Sequence, residues 1–226
     1  MHLPILSILI AMPLLGALTI LLVNKERPEV IRLIALGFSA MTFMLSLTLL
    51  PYFDSSTHHM QFVERHAWIP SIGAQYFLGI DGISLLLILL TTFMTPIAIL
   101  CSWSAVEERV KEYMIHLLML EVGMVGVFVA LDMALFFLFW EIGLVPMYFL
   151  IGIWGGKRKL YANIKFFLYT LFGSVFMLVG ILALYFVHGA ATGEYTFDLL
   201  KLYQVSYAYN IQWWVFLAFF LGFAIK

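Results

Sequence analysis

Apolar residues run through this chain in long blocks separated by short polar connections. Seven blocks recur, at residues 4–23, 30–50, 83–103, 113–131, 133–154, 160–187 and 211–226. Crossing a hydrocarbon core of about 30 Å takes about 17–25 residues of helix at 1.5 Å rise per residue. The first six blocks reach or slightly exceed that length, so each predicts a transmembrane helix. The seventh has 16 residues and ends on Lys226, which reads as a piece cut from a longer helix. Between the fourth and fifth blocks stands only Leu131-Asp132-Met133, a tight turn at the membrane surface. The long polar connection, residues 52–81, carries His58, His59, Glu64, Arg65, Trp68 and Pro70. It predicts short re-entrant or surface structure rather than a folded domain. No internal repeat is visible at this length. The pattern as a whole predicts an all-α polytopic transmembrane helix bundle.

Composition narrows what such a bundle can do. A hydrophobic fraction of 64% with 11% charged residues excludes an ordinary soluble domain. The single cysteine, Cys101, forms no disulfide within the chain and supports neither an iron–sulfur cluster nor a cysteine zinc site. No glycine-rich fingerprint and no basic stripe point to a nucleotide or to nucleic acid. No nucleotide, flavin or iron–sulfur cofactor is expected on this chain, and any redox chemistry belongs to a partner. The opening Met-His-Leu-Pro lacks the basic region of a signal peptide, so the first block reads as a retained helix.

Charge placement predicts an orientation. Lys25, Arg27, Arg32, Arg109, Lys111, Lys157, Arg158, Lys159 and Lys165 fall on one side, against Arg65 and Lys201 on the other. The positive-inside rule then puts the N-terminus outside. Trp68, Trp103, Trp154, Trp213 and Trp214 lie near segment ends, as an interfacial aromatic belt requires.

Four residues could carry chemistry. Glu141 lies about 12 Å along the fifth helix from Met133, near the bilayer midplane, where a charge costs about 2.5–3.5 kcal/mol. Pro146 has no N–H for the carbonyl of Ile142, so the helix should loosen beside the carboxylate and admit water. Proton or ion movement explains such a group; a structural carboxylate paired to a neighbouring helix is the alternative. Lys226 is the second. A buried lysine near a carboxylate can exchange a proton as its surroundings change, whereas a snorkelling lysine does not. Glu121 is the third: it lies eleven residues before Asp132, and Glu141 nine after, so the two share a depth on antiparallel neighbours. If they meet, they would share a proton; a structural role facing a partner fits as well. Lys165, about one turn inside the sixth helix, is the fourth, with snorkelling as its alternative. His116 and His188 read as interfacial, and His58-His59 lacks the spacing of metal ligands. Gly123, Gly126, Gly173 and Gly180 read as sites of close helix approach.

The run Phe-Trp-Glu-Ile-Gly-Leu-Val-Pro-Met-Tyr-Phe-Leu-Ile-Gly-Ile-Trp-Gly-Gly at 139–156, with Lys-Phe-Phe-Leu-Tyr-Thr at 165–170, resembles the antiporter-like subunit M family of proton-pumping NADH:quinone oxidoreductase. This is the mitochondrial subunit 4 type of respiratory complex I. Gly-Ile-Asp-Gly-Ile-Ser at 79–84 and Gly-Val-Phe-Val-Ala-Leu-Asp at 126–132 resemble it too. The resemblance implies that Glu141 is the family's fifth-helix glutamate. Phe-Phe-Leu-Gly-Phe-Ala-Ile-Lys at 219–226 would make Lys226 the lysine of a broken seventh helix, the two forming a Glu–Lys pair. Lys165 matches a sixth-helix lysine; Glu121 is not carried over by the motif.

The family's members have roughly fourteen helices in two inverted repeats, so the chain would be an N-terminal fragment. Residues 1–110 would be a three-helix membrane region and 111–226 the start of the first repeat, truncated in its seventh helix. As such it would not complete a proton path by itself. The resemblance implies a non-redox subunit of the NADH:quinone oxidoreductase in a bacterial plasma or mitochondrial inner membrane. NADH, FMN, iron–sulfur clusters and quinone would sit on partner subunits of the membrane and peripheral arms. A subunit of a multisubunit sodium/proton antiporter or of a membrane-bound hydrogenase would share the helix plan. A purely structural membrane anchor would explain the spans but not the midplane glutamate.

Overall fold

The computed structural model describes residues 3–226; Met1 and His2, which entered the reading of the N-terminus, lie outside the described residues. Two helices open the chain, α1 (Ile5–Leu22) and α2 (Pro28–Leu47). Pro28 begins α2, where a missing N–H costs nothing. The long polar connection then folds as an antiparallel hairpin of β1 (Gln61–Ile69) and β2 (Ala74–Ile80), with His66 opposite Tyr76. Gly73 closes the turn at φ +70, a conformation that favours glycine. Short re-entrant or surface structure was the expectation for this segment, and what the chain forms there is this hairpin.

The remaining helices are α3 (Gly82–Cys101), α4 (Val110–Val129), α5 (Met133–Ile142), α6 (Leu144–Trp154), α7 (Lys159–Thr192), α8 (Leu199–Leu202) and α9 (Tyr209–Ile225). Among the described residues, α1, α2 with its short extension to Tyr52, α3, α4, the α5–α6 unit and α7 are long and apolar enough to cross a membrane. The chain is a multi-pass integral membrane protein. α9 is apolar but shorter.

α7 runs beyond the expected end at residue 187. His188 is buried within the protein, and its Nδ1 pairs with the Glu194 carbonyl at 2.9 Å. The helix stops at Gly193, whose φ of +79 gives the left-handed C-terminal turn.

Each end of the bundle is tied. At the basic end, Lys111 Nζ donates to the carbonyls of Leu21 and Val23 at 2.9 and 2.7 Å, capping α1, and Trp154 Nε1 donates to the Glu108 carbonyl at 2.9 Å. At the hairpin end, Glu64 accepts from the Leu6 N–H at 2.7 Å, a carboxylate at the positive end of α1. The Leu131-Asp132-Met133 turn is held from both sides. Leu131 donates to the Phe77 carbonyl at 2.9 Å, and Met133 donates to Phe197 at 2.8 Å. Asp132, fully buried, accepts from Ala134 and Leu135 and from the Gln75 N–H at 2.9 Å. Arg65 completes the clasp by pairing with Asp198 and lying 4.5 Å over the Phe77 ring. α9 packs along α7 through a seam of small residues. A Cβ at Gly173 would lie 2.9 Å from Ile225, and one at Gly180 3.2 Å from Ala218.

Candidate functional site

The span that begins at Met133 is two helices, not one. Pro146 leaves the carbonyl of Ile142 without its helical donor, and the helix breaks at Gly143. The Gly143 N–H reaches Phe139 at a long 3.4 Å. The break fits closely against α4, where a Cβ at Gly123 would lie 3.1 Å from the Gly143 nitrogen.

Glu141 sits in the last turn of α5, half-buried, and its Oε1 is enclosed without a hydrogen-bond partner. Lys226, just past α9, comes to the same turn. Its Nζ donates to the Trp140 carbonyl at 2.5 Å and stands 4.5 Å from the centre of the Trp140 ring. A cation at a helix C-terminus is where the macrodipole favours it. Among the described residues, no ion pair within 4.0 Å joins Glu141 and Lys226. Trp140 itself is fixed by its indole N–H, which donates to Ser174 Oγ on α7 at 3.2 Å, and by the edge of Phe223 at 5.1 Å.

The other two expected residues stand apart. Glu121 is fully buried on α4, and neither of its oxygens has a hydrogen-bond partner among the described residues. It shares its face with Leu118 and Val125, whereas Gly123 and Gly126, on the opposite side of the helix, meet Gly143 and Phe139. Equal depth therefore does not bring it to Glu141 in a hydrogen bond. Lys165 is exposed on α7, 5.9 Å from the Tyr161 ring and about 13.5 Å along the helix from Ser174 towards the basic end. His116 stacks on Phe149 at 5.0 Å, and the His58 and His59 rings lie tilted against each other at 4.3 Å in the outer connection. Among the described residues, no three His, Cys, Asp or Glu side chains converge as a metal site.

Trp140 and Ser174 are not marked by charge, and the sequence pattern passes over them. One signal was available: five of the six tryptophans lie near segment ends, and Trp140 is the one in mid-span.

Comparison with known proteins adds a lineage to this geometry. Residues 130–226 match the family described as the transmembrane region of NADH:quinone oxidoreductase and Mrp antiporters. NADH-quinone oxidoreductase subunit M of Rhodobacter capsulatus is 46% identical over 98% of this chain and 45% of its own length. The chain is a homologue of NADH-quinone oxidoreductase subunit M. NADH-ubiquinone oxidoreductase chain 4 of Arabidopsis thaliana is 45% identical over 98% of this chain and 44% of its own length. Respiratory complex I from Thermus thermophilus with bound NADH contains a chain of the same fold, at 25% identity and a TM-score of 0.81, covering 97% of this chain and 43% of that one. The architecture is thus the antiporter-like bundle of subunit M, and the chain spans about half the length of the curated relatives it matches. Glu141, Trp140, Lys165 and Lys226 all fall inside the segment matched by the family.

Proposed function

We propose that this chain is part of a membrane-arm subunit of a proton-pumping NADH:quinone oxidoreductase, with Glu141 and Lys226 as its proton-exchange pair. The observation that carries the reading is the Lys226 ammonium docked on Trp140, one residue from an unpartnered Glu141 oxygen. Two arrangements compete there. With the ammonium on the Trp140 carbonyl and ring, Glu141 has no ion-pair partner among the described residues. With the ammonium moved to Glu141, the carboxylate is stabilised and its proton can leave. Alternation between the two loads and releases a proton beside a helix break that water can reach.

Electron transfer from NADH to quinone, on flavin and iron–sulfur centres of partner subunits, would drive the alternation through the membrane arm. Lys165 serves in this reading as a secondary relay towards the basic end. That end faces the cytoplasm or its equivalent by the positive-inside rule, leaving the N-terminus outside. The division at residues 110 and 111 into a three-helix region and the first repeat belongs to the same proposal. A subunit of a multisubunit sodium/proton antiporter is the second reading, favoured by the family description, which names Mrp antiporters alongside the oxidoreductase. The relatives above, at 45–46% identity, favour the oxidoreductase.

Glu141→Gln in the assembled complex tests this function. Assembly should persist and NADH-driven proton pumping should be lost. Pumping at the wild-type rate would overturn the proposal.

A further inference from the structure

The α1–α4 bundle has an apolar cluster near each end and a polar layer between them. At the basic end, Ile31 and Ala35 of α2 pack with Ile99 of α3 and Met114 and Leu118 of α4. At the hairpin end, Leu85 and Ile88 of α3 pack with Val122, Val125 and Val129 of α4. Along each inward stripe, the residues between these clusters are polar. α2 continues from Ala35 to Ser39, Thr42 and Ser46; α3 places Thr92 and Thr95 between Ile88 and Ile99; α4 places Glu121 between Leu118 and Val125. All six polar residues are buried.

They also share a level. A Cβ at Gly16 of α1 would touch both Phe38 and Leu118, so those two residues lie side by side. Thr42 and Glu121 each follow by about one turn on helices that run the same way. Ser46 and Thr92 bond at 2.8 Å, and from that contact Thr95 lies one turn along α3 and Thr42 one turn back along α2. Glu121 thus lies at the level of Thr42 and Thr95, with no hydroxyl within hydrogen-bond distance of its oxygens.

The chemistry of the layer is one-sided. Ser39 Oγ donates to Leu36 O at 3.1 Å, Thr42 Oγ1 to Phe38 O at 2.9 Å, and Thr95 Oγ1 to Thr91 O at 3.1 Å. With their hydrogens bound to their own helices, these hydroxyls offer the layer only lone pairs. A carboxylate needs donors and finds none within hydrogen-bond distance; a carboxylic acid brings its own O–H and can reach these acceptors through a bridging water. An ionised, unpaired carboxylate in an apolar bundle is also the costliest state available. α1 faces the layer with Pro13 and Gly16 and no titratable group. Glu141 lies beyond the other face of α4, and His116, on α4 itself, is stacked on Phe149 of α6.

We infer that Glu121 is a second proton-holding site of this membrane domain, kept as the neutral acid by its burial in the polar layer that also holds Ser39, Thr42 and Thr95. It is separate from the Glu141–Lys226 pair and gives up and regains its proton during turnover. The inference rests on the proton-pumping function proposed above.

Infrared difference spectroscopy of the whole complex, resting against NADH-energised, tests it together with pumping. The expected result is a deuterium-sensitive carbonyl band of a protonated carboxylic acid, present in wild type and absent in Glu121→Gln. Glu121→Gln should assemble and lose pumping, and Glu121→Asp should restore pumping with a shifted pH profile. Wild-type pumping by Glu121→Gln, with pH profile and infrared band unchanged, would make the group a structural acid and overturn the inference. If Glu121→Gln does not assemble, Thr42→Val with Thr95→Val decides. A shifted pumping pH profile supports the site, and an unchanged one overturns it. Normal pumping by Glu121→Gln beside an inactive Glu141→Gln removes this inference alone, whereas normal pumping by both removes the pumping function itself.

Discussion

At the scale of single residues, the account turns on what holds the Lys226 ammonium. A hydrogen bond from a charged donor to a carbonyl contributes about 1.5–3 kcal/mol, and a cation–π contact of an exposed ammonium such as Lys226 about 0.5–1 kcal/mol. The Coulomb attraction of a close Glu–Lys pair is about 4 kcal/mol at an effective dielectric of about 20. The Trp140 berth and the Glu141 berth therefore differ by little, which is what a switch requires. Trp140→Leu keeps the carbonyl but removes the ring and the bond to Ser174, so the ammonium should favour Glu141 by about 0.5–1 kcal/mol more. The pH profile of pumping should shift relative to Trp140→Phe, which retains a ring; identical profiles for the two variants would contradict this. Glu141 and Lys226 were legible from the chain because charge within an apolar block is costly whatever surrounds it. Trp140 was not, because a tryptophan in a membrane helix is ordinary until the partner of its face is known.

At the scale of elements, the site exists because a helix is broken and the break is held in place. Pro146 announced the break, and Gly143 supplies the join against Gly123. What fixes the start of α5 is Asp132, which caps the helix and also accepts from Gln75 of the hairpin. Burial pushes the Asp132 carboxyl above the ordinary carboxylate range, with the three backbone donors opposing it. Asp132→Ala removes the cap and strands the Gln75 N–H, a loss of roughly 2–4 kcal/mol. The temperature at which the assembled complex inactivates should fall, and an unchanged temperature would contradict the clasp. The helical spans were readable from apolar block length. The hairpin was not: Gln-Phe-Val-Glu-Arg-His-Ala-Trp-Ile has no clean alternation, and its strands are defined by distant partners, Glu64 on α1 and Arg65 on Asp198. The far end of α7 was placed too early for the same reason, since the bond of His188 to the Glu194 carbonyl and the turn at Gly193 that end the helix depend on residues beyond the apolar block.

At the scale of the molecule, the two proton-bearing places proposed above lie in one bundle. One lies at the α5–α6 break, where α9 brings Lys226, and the other is the polar layer around Glu121 inside α1–α4. Depth along the helices could be counted from the sequence, and it put Glu121 and Glu141 at one level. Facing could not, and facing separates them onto opposite sides of α4. The central claim is that Glu141 and Lys226 act as one unit. A double-mutant cycle in the assembled complex, with Glu141→Gln, Lys226→Ala and the two combined, measures this through NADH-driven proton pumping in sealed vesicles. Groups acting as a unit are strongly non-additive, so the account predicts that each single variant loses pumping and the double is no worse than the worse single. Partial effects that simply multiply in the double variant, or wild-type pumping by either single variant, would contradict it.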